Sequence, residues 1–97
     1  MTKSKKHWRL SIRADIGPKI CIRDYYENST PAVKKQAKET AKLYCRNNLK
    51  AQGVVNFGNW CTSVDPKFGD KALFLVTVFV PSTSGKLNPV VFILEEL

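Results

Sequence analysis

Cations are the residues of this sequence best placed to do chemistry, and they are grouped. The stretch TPAVKKQAKETAKLYCRNNLKAQG, Thr30 to Gly53, holds Lys34, Lys35, Lys38, Lys42, Arg46 and Lys50 against a single acid, Glu39. Side chains of this kind engage phosphates, or the carboxylates of an acidic protein, through charge and hydrogen bonds. A second group, Arg9, Arg13, Lys19 and Arg23, stands upstream with Tyr25, whose ring could stack on a base or sugar, and Lys3, Lys5 and Lys6 precede it. The net charge of +8 is unevenly spread: residues 1–50 carry thirteen Lys/Arg and four Asp/Glu, residues 51–97 three and four. A basic half joined to a nearly neutral, apolar half points to a polyanionic or acidic partner approached from one side.

Other chemistry finds little support. His7, the one histidine, sits in a basic arm with no serine or cysteine beside it to activate. Cys21, Cys45 and Cys61 are odd in number and widely spaced, with no CxxC, so neither a disulfide framework nor a zinc site is indicated. Asp65 and Asp70 flank PKFG, a spacing that reads as a turn rather than a cation site. No glycine precedes a GK[ST] sequence, so no phosphate-cradling loop is present. The expectation is a protein that is not an enzyme and needs no cofactor or metal. With no signal-peptide pattern and no apolar run of membrane-spanning length, a soluble, cytoplasmic chain with reduced thiols is expected.

These cations need elements to hold them, and 97 residues suffice for one domain with a modest core. After a basic flexible arm at 1–7, the domain at 8–97 begins with HWRLSIRA, where Trp8, Leu10 and Ile12 alternate with Arg9, Ser11 and Arg13 as in a half-buried strand. DIGP supplies a turn, and KICIRDYY repeats the alternation with Ile20 and Ile22 inward and Lys19, Cys21, Arg23 and Tyr25 outward. Thr30 and Pro31 predict a helix start and Gly53 its end. At about 100° per residue, Val33, Ala37, Ala41, Tyr44, Cys45 and Asn48 share the inner side, and Lys35, Lys38, Lys42 and Arg46 share an outer stripe. The first turn is basic where the macrodipole favours anions, a conflict of a few tenths of a kcal/mol, on the order expected at an exposed terminus.

Within this helix, KKQAKETA, Lys34 to Ala41, resembles the start of the last helix of double-stranded RNA-binding domains, where a KKxAK pattern contacts phosphates and the helix also follows a hairpin. The resemblance implies Lys34, Lys35 and Lys38 as phosphate contacts. It covers about eight residues; that family's first helix is missing here and three further strands follow, so the likeness is local.

Three strands are expected in the second half: VVNFGNWCTSV, then ALFLVTVFV from Ala72 to Val80, then PVVFIL from Pro89 to Leu94, the last two apolar on both faces. The expected fold is α+β, of order ββαβββ, with one amphipathic helix on a mainly antiparallel five-stranded sheet, flat or curled. One helix covers one face of a sheet. The other face must be covered by curling, by the hairpin folding over, or by a homodimer formed through the C-terminal strands, where an apolar last strand at an edge would invite pairing. On these grounds the expected function is non-catalytic nucleic-acid binding through phosphate contacts, by Arg9, Arg13, Lys19, Arg23, Tyr25, Lys34, Lys35, Lys38, Lys42 and Arg46. The alternative is a small inhibitor or adaptor of the phage or mobile-element type, such as an anti-CRISPR-like protein, using the same residues against an acidic partner such as a nucleic-acid-handling enzyme.

Overall fold

A computed structural model describes residues 5–14, 17–53, 55–64 and 71–97. The chain runs β1 (His7–Ala14), β2 (Ile20–Tyr26), α1 (Thr30–Asn47), β3 (Cys61–Val64), β4 (Leu73–Pro81) and β5 (Leu87–Glu96). All strand pairs are antiparallel and the spatial order is β2-β1-β5-β4-β3, a five-stranded sheet not closed into a barrel. This is the expected α+β fold. The expected DIGP turn, the Asp65 and Asp70 pair and the first four residues of the arm lie wholly or partly outside the described residues.

The period-two pattern decides the core. Trp8, Leu10 and Ile12 of β1, Phe74, Val76 and Val78 of β4, and Val90, Phe92 and Leu94 of β5 all face α1, which answers with Val33, Ala37, Ala41 and Cys45. Two alanines in successive turns bring the helix backbone close to the sheet. Tyr44 meets Phe92 edge-on at 6.5 Å between ring centroids, and Phe57 lies 5.6 Å from the same ring. The indole of Trp8 is fully buried and donates to the Glu27 carbonyl at 2.9 Å, joining β1 to the connection that leads into the helix.

Three expectations about boundaries change. Ser29, not Thr30, is the N-cap: its hydroxyl accepts from the Ala32 amide, and Pro31 stands in the first turn. The helix ends at Asn47 rather than running to Gly53; Lys50 then takes a left-handed φ of 52° and Gly53 one of 102°, reversing the chain. Residues 55–60 run without strand pairing, and of the described residues of the expected strand only Cys61–Val64 joins the sheet.

The last strand is not at an edge. β5 is paired with β1 on one side and β4 on the other, so edge-to-edge self-association through it is closed off. The N-terminal hairpin does not fold over the sheet either; β1 is a member of it and β2 its border. The second face therefore lies opposite the helix with rows set by the register: Arg9 beside Glu95, Ser11 beside Ile93, Arg13 beside Val91, and Leu75 beyond Ile93.

Candidate nucleic-acid interface

The helix presents its cations because its small and apolar residues fix the opposite side. With Val33, Ala37, Ala41 and Cys45 buried, Lys35, Lys42 and Arg46 are exposed and Lys38 half-buried on the outer surface. Lys38, Lys42 and Arg46 follow one another at four-residue intervals, and the stripe from Lys35 to Arg46 is about 16 Å long at ~1.5 Å per residue, close to half a turn of duplex. None of the ion pairs among the described residues involves these four side chains. Arg46 in the last turn also suits the negative end of the macrodipole.

Lys34 stands apart from the stripe. Its ammonium lies 4.1 Å from the centroid of the Phe74 ring, on the flank of the helix that faces β4, and its carbonyl accepts from the indole of Trp60 at 3.1 Å. A cation held on an aromatic face gives up part of its hydration and its reach. Of the three lysines implied by the local RNA-binding resemblance, Lys35 and Lys38 belong to the outer arc and Lys34 is docked against the sheet.

The hairpin residues do not join the helix. Arg9, Arg13 and Lys19 lie on the face of the sheet that α1 does not cover, so the sheet itself separates them from the helical stripe. Two of them are neutralised there. The Arg9 guanidinium bonds both oxygens of Asp24 at 2.9 and 3.3 Å, His7 Nε2 approaches the same carboxylate at 2.9 Å, and the Lys19 ammonium meets Glu95 at 3.2 Å. The Arg9 hydrogen bond, followed by that of His7, holds the Asp24 carboxyl down to about 2, and the same contact raises the Arg9 guanidinium. His7 in turn stacks on Tyr26 at 4.6 Å.

Tyr25 is the clearest departure from expectation. It is buried on the helix side, where its hydroxyl donates to Thr40 and reaches the Gln36 carbonyl at 3.5 Å, and burial raises its phenol. A register irregularity explains this: Leu10 pairs with Arg23 and Ser11 with Cys21, leaving Ile22 as the extra residue. One added residue inverts the alternation that follows. Tyr25 consequently turns into the core, Asp24 turns out to meet Arg9, and Arg23 rests 5.5 Å from the Tyr25 ring centroid instead of projecting with the hairpin cations.

Beside the stripe, Glu39, Lys42, Leu43, Arg46, Ala51, Gly53 and Val55 line a groove of about 630 Å³ between the helix and the segment leaving it. Sequence reasoning missed it because it depends on the chain doubling back after Lys50. Among the described residues no three of His, Cys, Asp and Glu gather as a metal site, and no helix is long and apolar enough to cross a membrane. No protein-family model, curated protein or solved structure matches this chain.

Proposed function

We propose that the protein is a non-catalytic nucleic-acid-binding module whose phosphate contacts come from Lys35, Lys38, Lys42 and Arg46. The observation that carries this is the contrast in pairing. The hairpin cations Arg9 and Lys19 are tied to Asp24 and Glu95, whereas the helical four share one surface and appear in none of the described ion pairs. A row of lysines and arginines on a helix contacts phosphates without reading bases, so affinity should extend over unrelated sequences and fall steeply with salt.

Four phosphate contacts imply a slope of log K against log salt of about −3.6, which is roughly a 150-fold loss between about 50 and 200 mM salt. Gel shifts with random-sequence DNA and RNA across that range measure it. Reversing the charges, Lys35→Glu, Lys38→Glu, Lys42→Glu and Arg46→Glu together, should abolish the shift. No shift at low salt, or a shift untouched by the four reversals, refutes the assignment.

The groove favours one second reading. It mixes Lys42 and Arg46 with Leu43, Ala51 and Val55, and an exposed leucine between cations suits an acidic protein segment with apolar anchors better than it suits a phosphate backbone. An inhibitor or adaptor working through this groove would give one tight partner, weak generic binding of nucleic acid and a marked loss on Leu43→Ala. In the phosphate-binding reading Leu43→Ala leaves affinity unchanged.

A further inference from the structure

We infer that the ligand of the helical stripe is duplex nucleic acid and that the protein discriminates against single strands; this rests on the phosphate-binding reading given above. Single-strand binders combine a basic groove that follows the backbone with aromatic rings on which bases stack. Neither part accompanies this stripe. Among the described residues the aromatic side chains left exposed are Tyr26 and Phe79. Both stand on the sheet face opposite the helix: Tyr26 pairs with His7 and stacks on its ring at 4.6 Å, and Phe79 lies between the inward-facing Val78 and Val80. The rings nearest the helix are committed elsewhere. Tyr44 and Phe57 pack on Phe92, and Trp60 packs against the core with its indole N–H given to the Lys34 carbonyl at 3.1 Å.

The groove beside the stripe does not supply a channel for a single strand. Aliphatic Leu43, Ala51 and Val55 line it without an aromatic ring, and a phosphate entering there meets the Glu39 carboxylate as well as Lys42 and Arg46. Like-charge contact at that wall holds the polyanion on the outer ridge of the helix.

Charge spacing points the same way. A duplex presents one phosphate per ~1.7 Å of its axis and a single strand one per ~3.4 Å, so the ~16 Å stripe spans about nine charges of a duplex and about five of one strand. Four cations meet a duplex by touching fewer than half of those phosphates. One strand would have to lie straight along the helix with nearly every phosphate engaged, and that ordering costs conformational entropy. The stripe does not bend to meet a flexible chain, because Val33, Ala37, Ala41 and Cys45, all fully buried, hold the helix to the sheet.

Counterion release sets the size of the preference. Four contacts carry a slope of about −3.6 on B-DNA and about −2.8 on a single strand; taking equal affinity at about 1 M salt, duplex should bind about tenfold tighter near 50 mM and about fourfold tighter near 200 mM. One stacked base, worth roughly 5- to 150-fold, would cancel that preference at the higher salt or reverse it. Fluorescence anisotropy on the wild-type chain, with a random-sequence DNA duplex of about 20 base pairs and an oligothymidylate of about 20 nucleotides, measures both slopes, affinities being compared per phosphate. Replacing the exposed rings, Tyr26→Ala together with Phe79→Ala, should leave the single-strand affinity unchanged. Single-strand binding equal to or tighter than duplex binding overturns the inference, and so does a single-strand affinity that falls several-fold without those rings. In either case the phosphate-binding reading stands if the four charge reversals abolish binding of both probes. Binding of neither probe by the wild-type chain refutes that reading itself, and this inference with it.

Discussion

Replacing Asp24 with asparagine tests the charge network on the open face through pH. The carboxylate receives two hydrogen bonds from Arg9 and one contact from His7, which together hold it from 3.8 down to about 2. Fully expressed, a depression of that size is worth at most about 2.5 kcal/mol of folding stability. The Asp24 side chain is 31% exposed, and solvent screening at such a site reduces the contribution to about 1 kcal/mol. The folded-state value lies below the unfolded one, so the contribution is complete above about pH 4 and is lost as the pH falls toward 2. Asp24→Asn keeps the shape and removes the charge. Urea unfolding of both proteins at one fixed concentration should therefore show the variant less stable by about 1 kcal/mol at pH 6, with the gap closing between pH 4 and pH 2. A gap that is constant from pH 6 to pH 2 would refute electrostatic anchoring of the hairpin by this carboxylate.

Two further outcomes follow from the packing under the helix. Ala41→Leu inserts three carbons at a fully buried position on the inner side of α1, and overpacking at that point should cost about 1–3 kcal/mol by denaturant unfolding; a neutral result would mean the helix is not seated on the sheet as described. Cys45 is fully buried, with its thiol pushed up to about 11 by burial, so among the three thiols it should react with maleimide only as fast as the protein unfolds. Labelling of Cys45 at the rate of an exposed thiol would place it outside the core.

The fold was readable because two periodicities were clean. Trp8, Leu10 and Ile12 alternate without interruption, and Val33, Ala37, Ala41 and Cys45 recur at intervals of four, so the inner faces of β1 and α1 could be assigned residue by residue. Tyr25 was misassigned because a bulge at Ile22 leaves no mark in composition; it is a property of how two strands pair, and pairing is non-local. The same holds for Asp24 and Glu95. As residues they are two acids among eight, and only the register sets them beside Arg9 and next to Lys19. The placement of the last strand failed for a related reason. An apolar strand on both faces signals burial, but whether it sits centrally depends on which partners flank it, and β5 receives β1 from the far end of the sequence.

The separation of the two basic groups by the sheet changes what their number means. Counted along the chain, the hairpin and helix cations suggest one extended patch; in the fold Arg9, Arg13 and Lys19 lie on the sheet face away from the helix, Arg23 rests on the Tyr25 ring, and Arg9 and Lys19 are paired with Asp24 and Glu95. The salt slope of a short probe should therefore count the cations of the helix alone, about four, and stay unchanged when Arg9 and Lys19 are replaced by glutamine; a slope that falls with those two replacements would return the hairpin to the binding surface.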